Sequence, residues 1–218
     1  MPQDIGVKDF FEKESVRFDN IYSHEKRSLH RLIDIFFHRT IQRRFELVLE
    51  ILAPFDGRRI LDVGCGSGRY AVEFASRGAD RVLGIDFSVN MIELARQSAR
   101  ARHVENRCEF VVADFLKYDS QEFFDAAVAI GFFEYFEDTQ SLFDKLAELT
   151  RGTVVISFPK LWTLRTFPRM LRYRLRKCYL RFFTRSQICR LVGNSTSAIE
   201  RFEIKQTDRD YLLVCHTK

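Results

Sequence analysis

Three glycines at alternate positions, Gly64, Gly66 and Gly68, follow the apolar run Ile60-Leu61-Asp62-Val63 and precede a helix-like stretch starting at Arg69. Glycines spaced this way let the backbone turn sharply and let a ligand approach without Cβ atoms in its path. A loop that opens a helix also presents N–H groups that no intrahelical acceptor satisfies. Eighteen residues past Gly68 a second apolar run, Val82-Leu83-Gly84-Ile85, ends in Asp86. Strand, glycine loop, helix, strand and acid in that order form half of a nucleoside-binding fold, in which the acid meets ribose hydroxyls.

The glycine spacing decides which nucleoside. The dinucleotide fingerprint G-x-G-x-x-G needs a third glycine where this chain has Arg69 or Ala71, and no G-x-x-x-x-G-K-[ST] phosphate loop occurs. The run Asp62-Val63-Gly64-Cys65-Gly66-Ser67-Gly68 instead resembles the first motif of the class I S-adenosylmethionine-dependent methyltransferases, whose glycine loop passes beneath the amino-acid part of the cofactor. Gly84-Ile85-Asp86-Phe87-Ser88, leading into Asn90-Met91, and the strand-like Cys108–Val112 ending in Ala113-Asp114-Phe115 are similar to the next two motifs. The resemblance implies S-adenosyl-L-methionine as cofactor. It places Asp62, Gly64, Cys65, Gly66 and Gly68 in the loop and Asp86 on the ribose. Phe87 and Met91 then flank the adenine, Asp114 meets its amino group, and the Phe115 N–H meets a ring nitrogen. Each choice is sound chemically. One carboxylate can accept both ribose hydroxyls, and a ring or thioether suits a purine face. Ser88 has a second reading as the cap of a helix starting near Val89.

The substrate side carries fewer signals. Asp125–Ile130 reads as a fourth strand, which brings Gly131, Phe132, Phe133, Glu134 and Tyr135 near the transferable methyl group. Phe132 and Phe133 suit core and pocket wall equally. No [DNS]-P-P-[YFW] tetrapeptide is present, and Glu134-Tyr135 stands where many small-molecule O-methyltransferases have Glu-His, so no histidine base is evident. Upstream, Tyr22 resembles the tyrosine of an N-terminal lid over the cofactor, its plain alternative being a buried phenol. His24 is the better acid–base candidate of the region, while His30 and His38 read as helix-surface or satisfied histidines.

Between Pro159 and Arg185 lie Lys160, Arg165, Arg169, Arg172, Arg174, Arg176, Lys177, Arg181 and Arg185 without one acid, interleaved with aromatic and aliphatic residues. Net charge is +5. Such a run suits an anionic small molecule, an anionic membrane surface reached through Arg165–Arg181, or, less well, nucleic acid; its plain alternative is a solvated helical face. The five cysteines are odd in number and form no C-x-x-C pair, so neither a metal site nor a disulfide framework is expected.

The elements that must hold these residues follow from periodicity. Ser23 or His24 opens a long helical pattern through Leu52, ended by Pro54 and Gly57. Strand-like and helix-like runs then alternate over 58–63, 69–77, 81–86, 89–102, 108–113, 123–130, 139–149 and 152–157. Thr184 or Ser186 opens a short helix, and runs over 197–205 and 209–216 follow. This alternation argues for an α/β fold, mostly parallel, with helices on both faces. The family resemblance makes it a Rossmann-like, doubly wound, seven-stranded sheet with an antiparallel terminal strand. The chain reads as a single domain, with a helical lid region over 1–57, a cofactor-binding core over 58–157 and a basic substrate-side segment with the terminal hairpin over 158–218. With no apolar run of about 18 residues and no signal-peptide pattern, a cytoplasmic protein is expected, with peripheral membrane contact through the basic segment. The expected activity is methyl transfer to a small, anionic or membrane-associated acceptor at oxygen. The alternative is a protein that holds the cofactor, as an accessory subunit or sensor, without transferring the methyl group.

Overall fold

The structure, a computed structural model, describes residues 31–120, 122–161 and 179–218, with side chains from Ile41 onward. Helix α1 (Arg31–Leu52) leads into β1 (Arg59–Val63), α2 (Arg69–Ser76), β2 (Arg81–Asp86), α3 (Val89–Ala101), β3 (Cys108–Val112) and β4 (Phe124–Ala129). A single 3₁₀ turn (Phe133–Tyr135), α4 (Thr139–Glu148), β5 (Thr150–Pro159), α5 (Arg185–Gly193), β6 (Ile199–Gln206) and β7 (Asp210–Thr217) complete the order. The seven strands form one sheet in the order β3-β2-β1-β4-β5-β7-β6. β7 runs antiparallel to both of its neighbours, and the pairings among β1 to β5 are parallel. The doubly wound sheet and its closing antiparallel hairpin agree with the sequence reading.

Alternate residues of each central strand bury into opposite faces, as a period of two requires. Ile60, Val82, Ala126, Val128, Val155, Leu212 and Val214 pack with α1, α2 and α3. Leu61, Leu83, Ala127, Ala129, Val154, Ile156, Leu213 and Cys215 pack with α4 and α5. Local chemistry starts the helices where the sheet needs them. Ser88 Oγ accepts from the Met91 N–H, Asp138 accepts from the Ser141 N–H, and Thr184 forms a reciprocal capping box with Gln187. α2 has no side-chain cap, because Gly68 in the left-handed region (φ +78°) opens it. β5 extends two residues beyond the sequence estimate at each end, since β4 and β7 pair with it from both sides.

The strand order reverses direction between β1 and β4. In such sheets the ligand crevice lies beyond the carboxyl ends of the strands at that switch point, between the glycine loop and Gly131. Among the described residues no helix is long and apolar enough to cross a membrane, and no cluster of potential metal ligands forms.

Candidate functional site

The glycine loop is clamped from beneath. The Gly64 and Cys65 N–H groups both donate to the Ile85 carbonyl, at 2.8 and 3.1 Å. The Gly66 N–H donates to Asp86 Oδ2 at 3.0 Å, and the Ser88 N–H donates to Asp86 Oδ1 at 2.9 Å. Asp86 thus latches the loop to the end of β2 and keeps acceptor capacity, since a carboxylate offers about four lone-pair sites. Burial raises its pKa, opposed by those backbone donors.

The three loop glycines answer to different constraints. A Cβ on Gly64 would stand 2.4 Å from the Phe132 ring, so β1 and the segment after β4 close together only because that atom is absent. A Cβ on Gly66 (φ +53°) meets nothing within 4 Å, and the same holds at Gly131 (φ +71°) on the neighbouring strand's end. Both therefore border open space at the switch point, a cradle that side chains would fill. The Gly131 N–H is fixed by Ser157 Oγ at 2.7 Å. Phe132 and Phe133 prove to be core, with Phe132 also serving as the support behind Gly64.

Asp62 lies behind the loop rather than in the open space. It is 2% exposed, and its carboxylate accepts from the Ala71 N–H at 3.2 Å. Burial pushes its pKa up to about 7, with the Ala71 N–H opposing and the nearby Asp86 charge adding to the rise. The folded protein then binds a proton here that the unfolded chain gives up, between the ordinary value of 3.8 and about 7. Stability should fall as pH rises through that window. Asp62→Asn keeps an oxygen for the Ala71 N–H and removes the ionisation. Its melting temperature should fall less than the parent's between about pH 5 and about pH 8. Parallel melting curves for the two would show that Asp62 does not carry the dependence.

On the β2–β3 side, Phe87 is half-buried and Met91 is 4% exposed beneath it on α3. Asp114 is exposed, accepts from the Leu116 N–H at 3.0 Å and pairs with Lys117 at 3.3 Å. The Phe115 ring is core, so only its backbone N–H is available to a ligand. Lys145 pins this turn by donating to the Leu116 and Tyr118 carbonyls. Cys65 is buried, and burial holds its thiol well above the ordinary range, which makes it a small filler between two glycines. Tyr22, His24 and His30 lie outside the described residues, and the His38 side chain does too.

Sequence reasoning missed a buried polar group on the other side of the loop. Arg44 of α1 pairs with Asp210 of β7 at 2.9 Å, with 19% and 10% of the two side chains exposed. Burial works against the Arg44 charge, but Asp210, then Tyr70 and Glu134, outweigh it and hold the guanidinium firmly ionised. Arg44 Nε and Tyr70 Oη are buried, and neither has a hydrogen-bond partner among the described residues. Tyr70 sits in the first turn of α2, and the stack of Arg69 over Phe45 with the Arg69–Gln42 hydrogen bond fixes α1 against that turn. Two buried donors thus stand next to the glycine loop, with the Asp210 and Glu134 carboxylates close enough to act on the guanidinium. The available signal was positional: Arg44 falls on the apolar face of α1, three residues after Ile41 and four before Val48.

The basic segment is rooted at the same edge. The Leu161 N–H donates to the Phe183 carbonyl, the Phe183 N–H to Pro159, and the Arg181 N–H to the Glu134 carbonyl at 2.8 Å. Arg165, Arg169, Arg172, Arg174, Arg176 and Lys177 lie outside the described residues; of the flanking residues, Arg181 bonds the turn after β4 and Leu161 bonds Phe183.

Residues 60–152 match the family model described as Methyltransferase domain. The chain is 35% identical over 116 residues to a ubiquinone biosynthesis O-methyltransferase of Alkalilimnicola ehrlichii, covering 52% of this chain and 47% of that protein. It is 36% identical over 105 residues to a demethylmenaquinone methyltransferase of Deinococcus radiodurans, covering 47% and 44%. These matches span about half the length of the curated relatives. In fold, it superposes on magnesium protoporphyrin IX methyltransferase from Synechocystis PCC 6803 with bound SAH at a TM-score of 0.78 and 20% identity, over 97% of this chain and 98% of that one. The glycine loop latched by a β2 acid and the open cradle at the switch point both fall within residues 60–152, the stretch that matches the Methyltransferase domain model, on a fold shared with a methyltransferase structure that holds SAH.

Proposed function

We propose that this chain transfers a methyl group to an oxygen of a small anionic acceptor, taken from solution or from an anionic membrane surface. When bound, S-adenosylmethionine supplies a methyl group already activated by its sulfonium. The protein therefore has mainly to align the acceptor and exclude water. In this reading Asp86 accepts from the ribose hydroxyls while still holding Gly66, and Asp114 and the Phe115 N–H meet the adenine between Phe87 and Met91. Arg44 Nε and Tyr70 Oη receive the carboxylate of the amino-acid part, and Gly66 and Gly131 leave the room it needs. Phe132, seated against Gly64, closes the floor to water.

The observation that carries the acceptor's character is the root of the basic segment. Its flanks pair with each other and, through the Arg181 N–H, with the Glu134 carbonyl in the turn after β4, and the sequence between those flanks carries cations without one acid. Arginine's forked donors suit carboxylate and phosphate. Transfer to oxygen is supported by the name of the Alkalilimnicola relative.

The test combines product discovery with charge reversal. The purified chain, given methyl-labelled cofactor and small-molecule and lipid extracts of its native host, should yield a labelled product by mass spectrometry. Arg172→Glu, Arg174→Glu and Arg176→Glu together should leave cofactor affinity unchanged and raise the apparent KM for that product's precursor. Added salt should act in the same direction, because exposed charges are screened over about 8 Å at physiological ionic strength. If intact cofactor binding is accompanied by no labelled product in repeated extracts, the chain is a cofactor-binding accessory protein instead.

A further inference from the structure

Strand β6 closes one end of the sheet, and no described residue pairs with its outer edge. Its sequence is Ile199-Glu200-Arg201-Phe202-Glu203-Ile204-Lys205-Gln206, eight residues without proline. The Thr207 N–H donates to the Asp210 carbonyl at 2.9 Å, and pairing continues through Lys205↔Leu212, Glu203↔Val214 and Arg201↔His216. Backbone groups alternate in direction along an antiparallel strand. Arg201, Glu203 and Lys205 therefore bond inward to β7, and Phe202, Ile204 and Gln206 turn their N–H and C=O groups outward. Phe202 is also 43% exposed, one of few large apolar side chains on the surface of the described residues.

The geometry points to a second copy of this chain as the partner of that edge, joined by antiparallel pairing of β6 with β6 about a two-fold axis at Phe202. In a two-fold pairing of this strand outward residues must face outward residues, which leaves few registers. Centred on Phe202, the rings oppose each other, their backbones exchange both hydrogen bonds, and Arg201 faces Glu203 of the other copy twice. Arg201 makes no ion pair among the described residues, and this register supplies one. Centred on Glu203, it would oppose Glu203 to Glu203 and Arg201 to Lys205. Centred on Ile204, it faces Glu203 with Lys205 of the other copy, a pair that each strand already makes within itself at 3.1 Å, and leaves Phe202 against Gln206 and Arg201 without an acid. The β-bulge between Ile199 and Arg201 ends the regular edge, so the contact is short. A contact this short belongs to the weak, reversible class of interfaces.

Sedimentation velocity of the full chain over a concentration series should show reversible monomer–dimer exchange. Arg201→Glu and Glu203→Arg, each alone, turn two attractive cross-strand pairs repulsive and should raise the dimer dissociation constant about ten-fold or more. The double variant Arg201→Glu/Glu203→Arg should restore it, and Lys205→Glu should leave it unchanged. Thermal melting checks that each variant is folded. In a Cys189→Ser background, Phe202→Cys should be cross-linked to the other copy by a short bis-maleimide, because Cβ atoms opposed in a hydrogen-bonded pair lie about 5 Å apart, within reach of such a linker though too wide for an unstrained disulfide. A parent chain that stays monomeric throughout would overturn the proposal. So would a dimer indifferent to the single reversals, a double variant without rescue, sensitivity at Lys205 in place of Arg201, or a folded cysteine variant that does not cross-link.

Discussion

Gly66→Ala is expected to lower affinity for S-adenosylhomocysteine about a hundred-fold or more, equivalent to about 3 kcal/mol, while the protein stays folded. Two costs coincide at this residue and must be separated. A side chain at φ +53° strains the backbone by about 1–2 kcal/mol, and its Cβ occupies space that no protein atom fills within 4 Å. Gly57 separates them, because it too has positive φ (+72°) and open space around its Cβ but lies before β1 at the opposite end of that strand from the loop. Gly57→Ala should lower the melting temperature by a similar amount and leave ligand affinity unchanged. Gly66→Val, with its branch, should abolish binding outright. Titration calorimetry with S-adenosylhomocysteine reads all three variants. Equal affinity in Gly66→Ala and the parent would remove the loop from the cofactor site.

Arg44→Met should damage both stability and binding, through different partners. Removing one member of a largely buried ion pair strands Asp210, at a cost of about 3–5 kcal/mol. Adding Asp210→Asn relieves the stranded charge, so Arg44→Met/Asp210→Asn should regain most of the lost melting temperature. Cofactor affinity should not return, because the Nε donor beside Tyr70 is still missing. Recovery of both properties in the double variant would make Arg44 a purely structural residue. The contrast uses only the parent and two variants, each measured by melting and by calorimetry.

How far the chain could be read without coordinates depended on whether a feature repeats along the sequence. β1, β2 and β4 are short apolar runs whose ends are marked by Gly64, Asp86 and Gly131, and their positions agree with the structure within a residue or two. Ser88 and Thr184 announced their helices through capping chemistry that acts over three residues. The Arg44–Asp210 pair spans 166 positions, and nothing local links a helix before β1 to the first residue of β7. The partner of Asp62 was hidden for a related reason: inside the strand its carboxylate points to α2, and only the structure shows which backbone N–H it meets. Phe115 shows the limit of a motif most directly, for the sequence names the residue without saying that its ring is core and only its N–H can serve.

β7 lies between β5 and β6 although it follows both in sequence, and this sets the order in which a growing chain acquires its parts. The glycine loop, Asp86 and Asp114 lie on elements that can pair with one another as they are synthesised. Arg44 waits longest. Until Asp210 emerges, the guanidinium on the apolar face of α1 lacks the carboxylate it pairs with, and Val155 and Ile156 have no neighbour on one side. A nascent chain can therefore set the glycine loop against Asp86 well before it can set Arg44 against Asp210.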